Sequence, residues 1–123
     1  MNDINSKEDI EKLLIAFYKK ALTDELIGFY FTEVVALNLE KHLPIITQFW
    51  ESILLNTQQY SGNMFQIHQH IHQLSAFKPE HFDRWVQLFQ ETVTEMFEGN
   101  RSELAKQRAA SIATIMKSKL IYQ

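Results

Sequence analysis

The sequence predicts an all-α protein on three counts. Only three Gly and two Pro interrupt 123 residues, a low density of chain breakers. No segment sustains the alternation of a half-buried strand. Apolar residues instead recur at three- and four-residue intervals over long stretches, which is the period of an amphipathic helix. The length suits one domain spanning residues 1–123. A chain of that size buries roughly two-thirds of its unfolded surface, enough for a core and one embedded ligand.

The elements follow in order. Ser6 can cap a first helix, with Asp9 three residues on, and Ile10, Leu13, Leu14, Phe17 and Ala21 mark its inner face to about Thr23. The apolar piece Leu26-Ile27-Gly28-Phe29-Tyr30-Phe31 predicts a tight helical turn or corner. A second long helix is expected from about Asn38 to Leu55, starting later or bending at Pro44, which lacks an N–H. Ser61-Gly62-Asn63 signals a loop within the third region, Tyr60 to Phe77, followed by a short helix rich in histidine. Pro79 opens a fourth helix with Phe82, Trp85, Val86, Phe89, Val93, Met96 and Phe97 on one face, and Gly99 stops it. Asn100 and Glu103 have capping-box spacing for the last helix, whose apolar positions are Leu104, Ala105, Ala109, Ile112, Ile115 and Met116.

Composition narrows the function. Apolar residues make up 46% of the chain and charged residues 22%, as in ordinary globular proteins. The net charge of −3, with no basic run longer than Lys19-Lys20, speaks against nucleic acid and anionic membranes, which need clustered positive charge. No apolar stretch reaches the length of a membrane span. The polar, acidic stretch Met1–Glu11 predicts no secretory leader, so a cytoplasmic location is expected. Without cysteine, thiolate metal sites and disulfides are excluded, and imidazoles become the obvious metal ligands.

Five histidines are available. His42 shares a helix face with Ile46, Phe49 and Ile53, where a histidine is more often a core or boundary residue than a functional one. Tyr18 follows Phe17 at the inner edge of the first helix, and Trp85 sits on the most apolar face of the chain. In a helix His68 and His72 project from one side while His70 points away. Met64 and Phe65 place apolar groups beside His68, as a haem-binding imidazole requires. On an extended strand His68, His70 and His72 would line one face and suit zinc or copper, but no carboxylate stands near to orient them. His81, just after Pro79 and Glu80, reads as a first-turn surface or hinge residue.

In order along the chain, these features resemble the truncated haemoglobins, in particular their third group. The resemblance is carried by Phe17-Tyr18, Gly28 with Phe31, His42 followed by Phe49-Trp50, Tyr60-x-Gly62, His68, and His81-Phe82-Asp83-Arg84-Trp85 followed by Leu88-Phe89. It runs from about residue 10 to residue 116. It implies a shortened globin fold, a two-over-two helical sandwich holding haem b. By that likeness Tyr18, His42 and Trp85 line the distal side, where they would meet dioxygen or a related diatomic gas. Phe31 packs on the porphyrin, and Phe49 and Trp50 stand on or behind the distal wall. Spacing from Tyr60 and Gly62 makes His68 the proximal ligand, whereas counting back from Trp85 favours His72. Met64 stands where the family often has proline.

The likeness also implies redox chemistry with dioxygen, nitric oxide or peroxide as an option, through an external electron donor, because the chain holds no flavin motif. The protein is expected to be a monomer or weak homodimer. The competing expectation is a helical interaction module that keeps the fold without haem.

Overall fold

The computed structural model describes residues 1–57 and 62–122, so Tyr60 and Ser61 of the expected loop and motif lie outside the described residues. Those residues form five α-helices and one π-helical turn, with no strand among them. The helices are α1 (Lys7–Ala21), α2 (Leu39–Leu54), α3 (Met64–Leu74), α4 (Pro79–Met96) and α5 (Asn100–Leu120), and the π-turn is Tyr30–Val34.

Side chains at the helix starts set where α1, α2 and α3 begin. Ser6 Oγ accepts the Asp9 N–H at 3.2 Å, Asn38 Oδ1 that of Lys41 at 3.3 Å, and Asn63 Oδ1 that of Gln66 at 3.1 Å. Each satisfies one of the orphan donors of a first turn. Helix α2 starts at Leu39 and runs through Pro44, so the expected later start does not occur.

The last helix begins differently from the expected Asn100–Glu103 box. Gly99 is its N-cap residue, and the cap comes from the other end of the chain. Asp3 accepts the Arg101 N–H at 3.0 Å, the Ser102 N–H at 2.9 Å and the Ser102 hydroxyl at 2.7 Å. Gly99 has φ of 145°, and a Cβ there would lie 2.4 Å from Asp3 Cγ, so only glycine fits the junction.

Helices α1 and α2 pack side by side as one layer, α4 and α5 as the other, with α1 on α4 and α2 on α5 between them. Ile10, Leu13, Leu14 and Phe17 of α1, Trp50 and Leu54 of α2, and Leu88, Phe89 and Val93 of α4 meet in the main core. Each large apolar side chain buried there stabilises the fold by about 1.5–3 kcal/mol. Helix α5 contributes a small-residue face, Ser102, Ala105, Ala109 and Ala113, that lets α4 approach closely. Ile115, expected on that face, is instead 51% exposed. Helix α3 stands apart. It has no buried residue and packs chiefly on α5, through a second cluster in which Met64, Phe65 and Phe77 meet Phe82, Ala113 and Met116. No helix among the described residues is long and apolar enough to cross a membrane.

Candidate haem and ligand site

The principal cavity, about 190 Å³, opens between the sandwich and α3, and nearly all its wall is apolar. The corner after α1 shapes one side. Asp24 accepts the Leu26 and Ile27 N–H groups at 3.1 and 3.2 Å and holds Arg84 of α4 through Nε at 2.9 Å. Burial opposes ionisation of Asp24, but the Arg84 guanidinium and these amides outweigh it and depress its pKa. A Cβ on Gly28 would lie 2.8 Å from the Leu22 carbonyl oxygen, so the corner closes only with glycine. The π-turn that follows carries Tyr30 and Phe31 into the wall.

Tyr18 and three histidines stand among those apolar walls. The Tyr18 hydroxyl lies 3.1 Å from His42 Nε2, and burial raises the Tyr18 pKa far enough to keep it the neutral phenol. Burial lowers the His42 pKa, with His68 nearby adding to the effect, so His42 is neutral near pH 7. His68 Nδ1–H donates to the Met64 carbonyl at 2.8 Å, and its Nε2 has no protein partner among the described residues. Burial lowers the His68 pKa while the Met64 bond works the other way. The result is a neutral imidazole, oriented through one nitrogen and free at the other. The third histidine is His81, whose Nδ1 accepts the Lys78 N–H at 2.9 Å.

Aromatic rings fix the remaining wall. Phe89 stacks with Trp50 at 4.7 Å and with Trp85 at 5.7 Å, and Phe17 meets Trp85 edge-on at 6.2 Å. The Trp85 indole N–H finds no protein acceptor among the described residues.

No family model matches the chain. It is 29% identical over 118 residues to the group 3 truncated hemoglobin ctb of Campylobacter jejuni, covering 94% of this chain and 91% of that protein. Among solved structures it matches the group III truncated hemoglobin from Campylobacter jejuni with a TM-score of 0.86 and 27% identity, over 100% of this chain and 98% of that one. The chain is similar in sequence and in fold to the third group of truncated haemoglobins. That similarity supports a globin-type haem ligand-binding protein.

In this chain the structure brings Tyr18, Phe31, His42, Phe49, Trp50, His68 and Trp85 to one cavity. It does not bring Phe65 or His72 there. Phe65 packs toward α5, with Lys119 Nζ 5.0 Å from its ring centre. His72 turns its Nδ1 to the Phe77 N–H at 2.8 Å and stacks on the Phe77 ring. His70 is exposed, and no group of three or more metal-ligating side chains occurs among the described residues, which removes the zinc or copper arrangement.

His81, Tyr30 and Phe77 are among the wall residues not anticipated as site residues. His81 stands in the first turn of α4 as expected and is half-exposed, with its ring held by the Lys78 N–H and edge-on to Tyr30 at 5.0 Å against the cavity wall. Tyr30 and Phe77 also line the cavity; the apolar run Leu26–Phe31 hinted at Tyr30, and nothing local hinted at Phe77.

Proposed function

We propose that the protein binds haem b through His68 and takes dioxygen or a related diatomic gas beside Tyr18, His42 and Trp85. The observation that carries this reading is the state of His68. An imidazole whose Nδ1–H is held by a backbone carbonyl and whose Nε2 lone pair faces a cavity is oriented as metal-bound histidines are. His72 has the opposite arrangement, with Nδ1 engaged as an acceptor away from the cavity, which favours His68 over it.

The donor set and the apolar walls fit a haem. The cavity volume is below the roughly 300 Å³ at which small-molecule pockets begin, so the walls part to admit the macrocycle. Helix α3 is the wall that can move, since it buries no residue. When bound, haem supplies an iron that takes the gas.

The chain's own groups then govern how long the gas stays. In the Tyr18–His42 pair, either the hydroxyl donates to Nε2 or a ring N–H donates to the hydroxyl. The second arrangement leaves the phenol O–H free to donate to a ligand. Trp85 brings an indole N–H with no competing acceptor. The Phe17, Phe31 and Phe89 rings keep water out, which strengthens such bonds. Redox turnover of dioxygen, nitric oxide or peroxide draws on an external electron donor in this reading.

The competing reading, a haem-free helical module, is favoured only by the small volume. Haemin titration separates the two. A stoichiometric Soret band that survives His72→Ala and is lost in His68→Ala is the expected result. A spectrum no different from free haemin would sink the haem reading, and loss in His72→Ala alone would move the iron to His72.

A further inference from the structure

The loop between α3 and α4 is held by an unusual set of bonds. Three consecutive residues each give a backbone group to a side chain, and each side chain comes from a different element. The Tyr30 hydroxyl of the π-turn donates to the Ala76 carbonyl at 2.7 Å. His72 Nδ1 of α3 accepts the Phe77 N–H at 2.8 Å. His81 Nδ1 of α4 accepts the Lys78 N–H at 2.9 Å. Such loop groups are ordinarily left to water.

All three bonds converge on Phe77. Its ring lies 4.7 Å from Tyr30, 5.8 Å from His72 at an interplanar angle of 12°, and 4.9 Å from Phe82. It also lies 6.3 Å from His68, tilted by 33°. The Phe77 ring is therefore packed beside the free imidazole and fixed by its own backbone on both sides. Helix α3 cannot supply that rigidity itself. It has 11 residues and buries none of them, and helices so short are marginal alone.

We propose that Tyr30, His72 and His81 are positioning residues that lock Phe77 against His68 and so set the orientation and strength with which His68 holds iron. The proposal rests on the reading of His68 as the haem ligand. It gives His72 a role that explains why a second imidazole stands one turn beyond His68 without entering the cavity. The oxygen of asparagine sits where His Nδ1 does, so an asparagine can keep the acceptor while losing the ring.

The test compares Tyr30→Phe, His72→Asn and His72→Leu in the haem-loaded protein. Tyr30→Phe keeps the ring and removes only the hydroxyl, so folding is preserved. Haem transfer to an excess of an apo-globin acceptor is timed, the iron–histidine stretch is read by resonance Raman, and amide exchange is followed at residues 75–78. Tyr30→Phe and His72→Leu should release haem roughly tenfold faster, the usual effect of losing a group that orients a metal ligand. Both should shift the stretch and speed exchange of the Phe77 amide. His72→Asn should restore the slow release. Faster amide exchange with unchanged haem release and stretch would overturn the proposal, as would equal effects of His72→Asn and His72→Leu. Failure of the wild-type chain to form a Soret band is a different result, which removes the haem reading itself.

Discussion

Replacing Asp3 by alanine tests how the two ends of the chain are joined. Burial raises the Asp3 pKa, but the Ser102 hydroxyl and the N–H groups of Arg101, Ile4 and Ser102 outweigh it and bring the carboxyl from 3.8 to about 2. The carboxyl is partly open to solvent, which screens these bonds, so its contribution to the folded state is about 1 kcal/mol when ionised. The figure agrees with the roughly 0.5–2 kcal/mol lost when a helix N-cap is removed. For a domain of this length it is roughly a 3–6 °C drop in Tm. Because the folded-state pKa is the depressed one, the stabilisation is complete above 3.8 and is lost as pH falls toward about 2. Urea unfolding of wild type and Asp3→Ala at neutral pH and near pH 3 should show a wide gap that narrows in acid. A gap under about 0.5 kcal/mol at neutral pH, or one that stays constant, would refute the capping account.

Two other substitutions probe single buried hydroxyls. Tyr18→Phe removes a donor next to His42 and should speed dioxygen release by roughly 5- to 150-fold in stopped-flow mixing, the equivalent of one hydrogen bond in a dry site; an unchanged rate would take Tyr18 out of ligand binding. Thr47 of α2 is fully buried with Oγ1 unpartnered, so Thr47→Val should raise stability by about 1 kcal/mol in urea unfolding. A loss of that size would mean the hydroxyl is satisfied in solution.

The legible parts of the fold were those decided by neighbours in sequence. Ser6, Asn38 and Pro79 announced helix starts because caps and first-turn prolines act over three residues. The start of α5 was misread for the converse reason. Asn100 and Glu103 have the right spacing, yet Asp3, 98 residues from Arg101, supplies the cap. For the candidate site, the order of motifs pointed to Tyr18, His42 and Trp85, and these three line one cavity. Phe65 was placed beside His68 by helical spacing, but its ring packs in the cluster with Phe82, Ala113 and Met116. His81 looked like a solvent-facing first-turn residue because nothing local reveals Tyr30, 51 positions away, packed against its edge. The choice between His68 and His72 could not be made by counting. It turns on which nitrogen each ring commits, and that depends on Met64 in one case and on the loop at Phe77 in the other.

The fold divides its stability unevenly, and the division suits a cofactor protein. Four helices share a close-packed core whose rings, Phe17 and Phe89 among them, are almost wholly buried. The helix that carries His68 contributes nothing buried to it. Its position is defined by a small apolar cluster against α5 and by the bonds at Ala76, Phe77 and Lys78. On the proposed reading, a ligand that engages His68 binds the folded arrangement of α3 and not its opened forms, so it stabilises α3 by mass action. The rigid sandwich then holds Tyr18, His42 and Trp85 in place, while the adaptable helix lets the wall part and close on the cofactor. The weak packing of α3 is thus what allows a preorganised set of donors and a large prosthetic group to share one small domain.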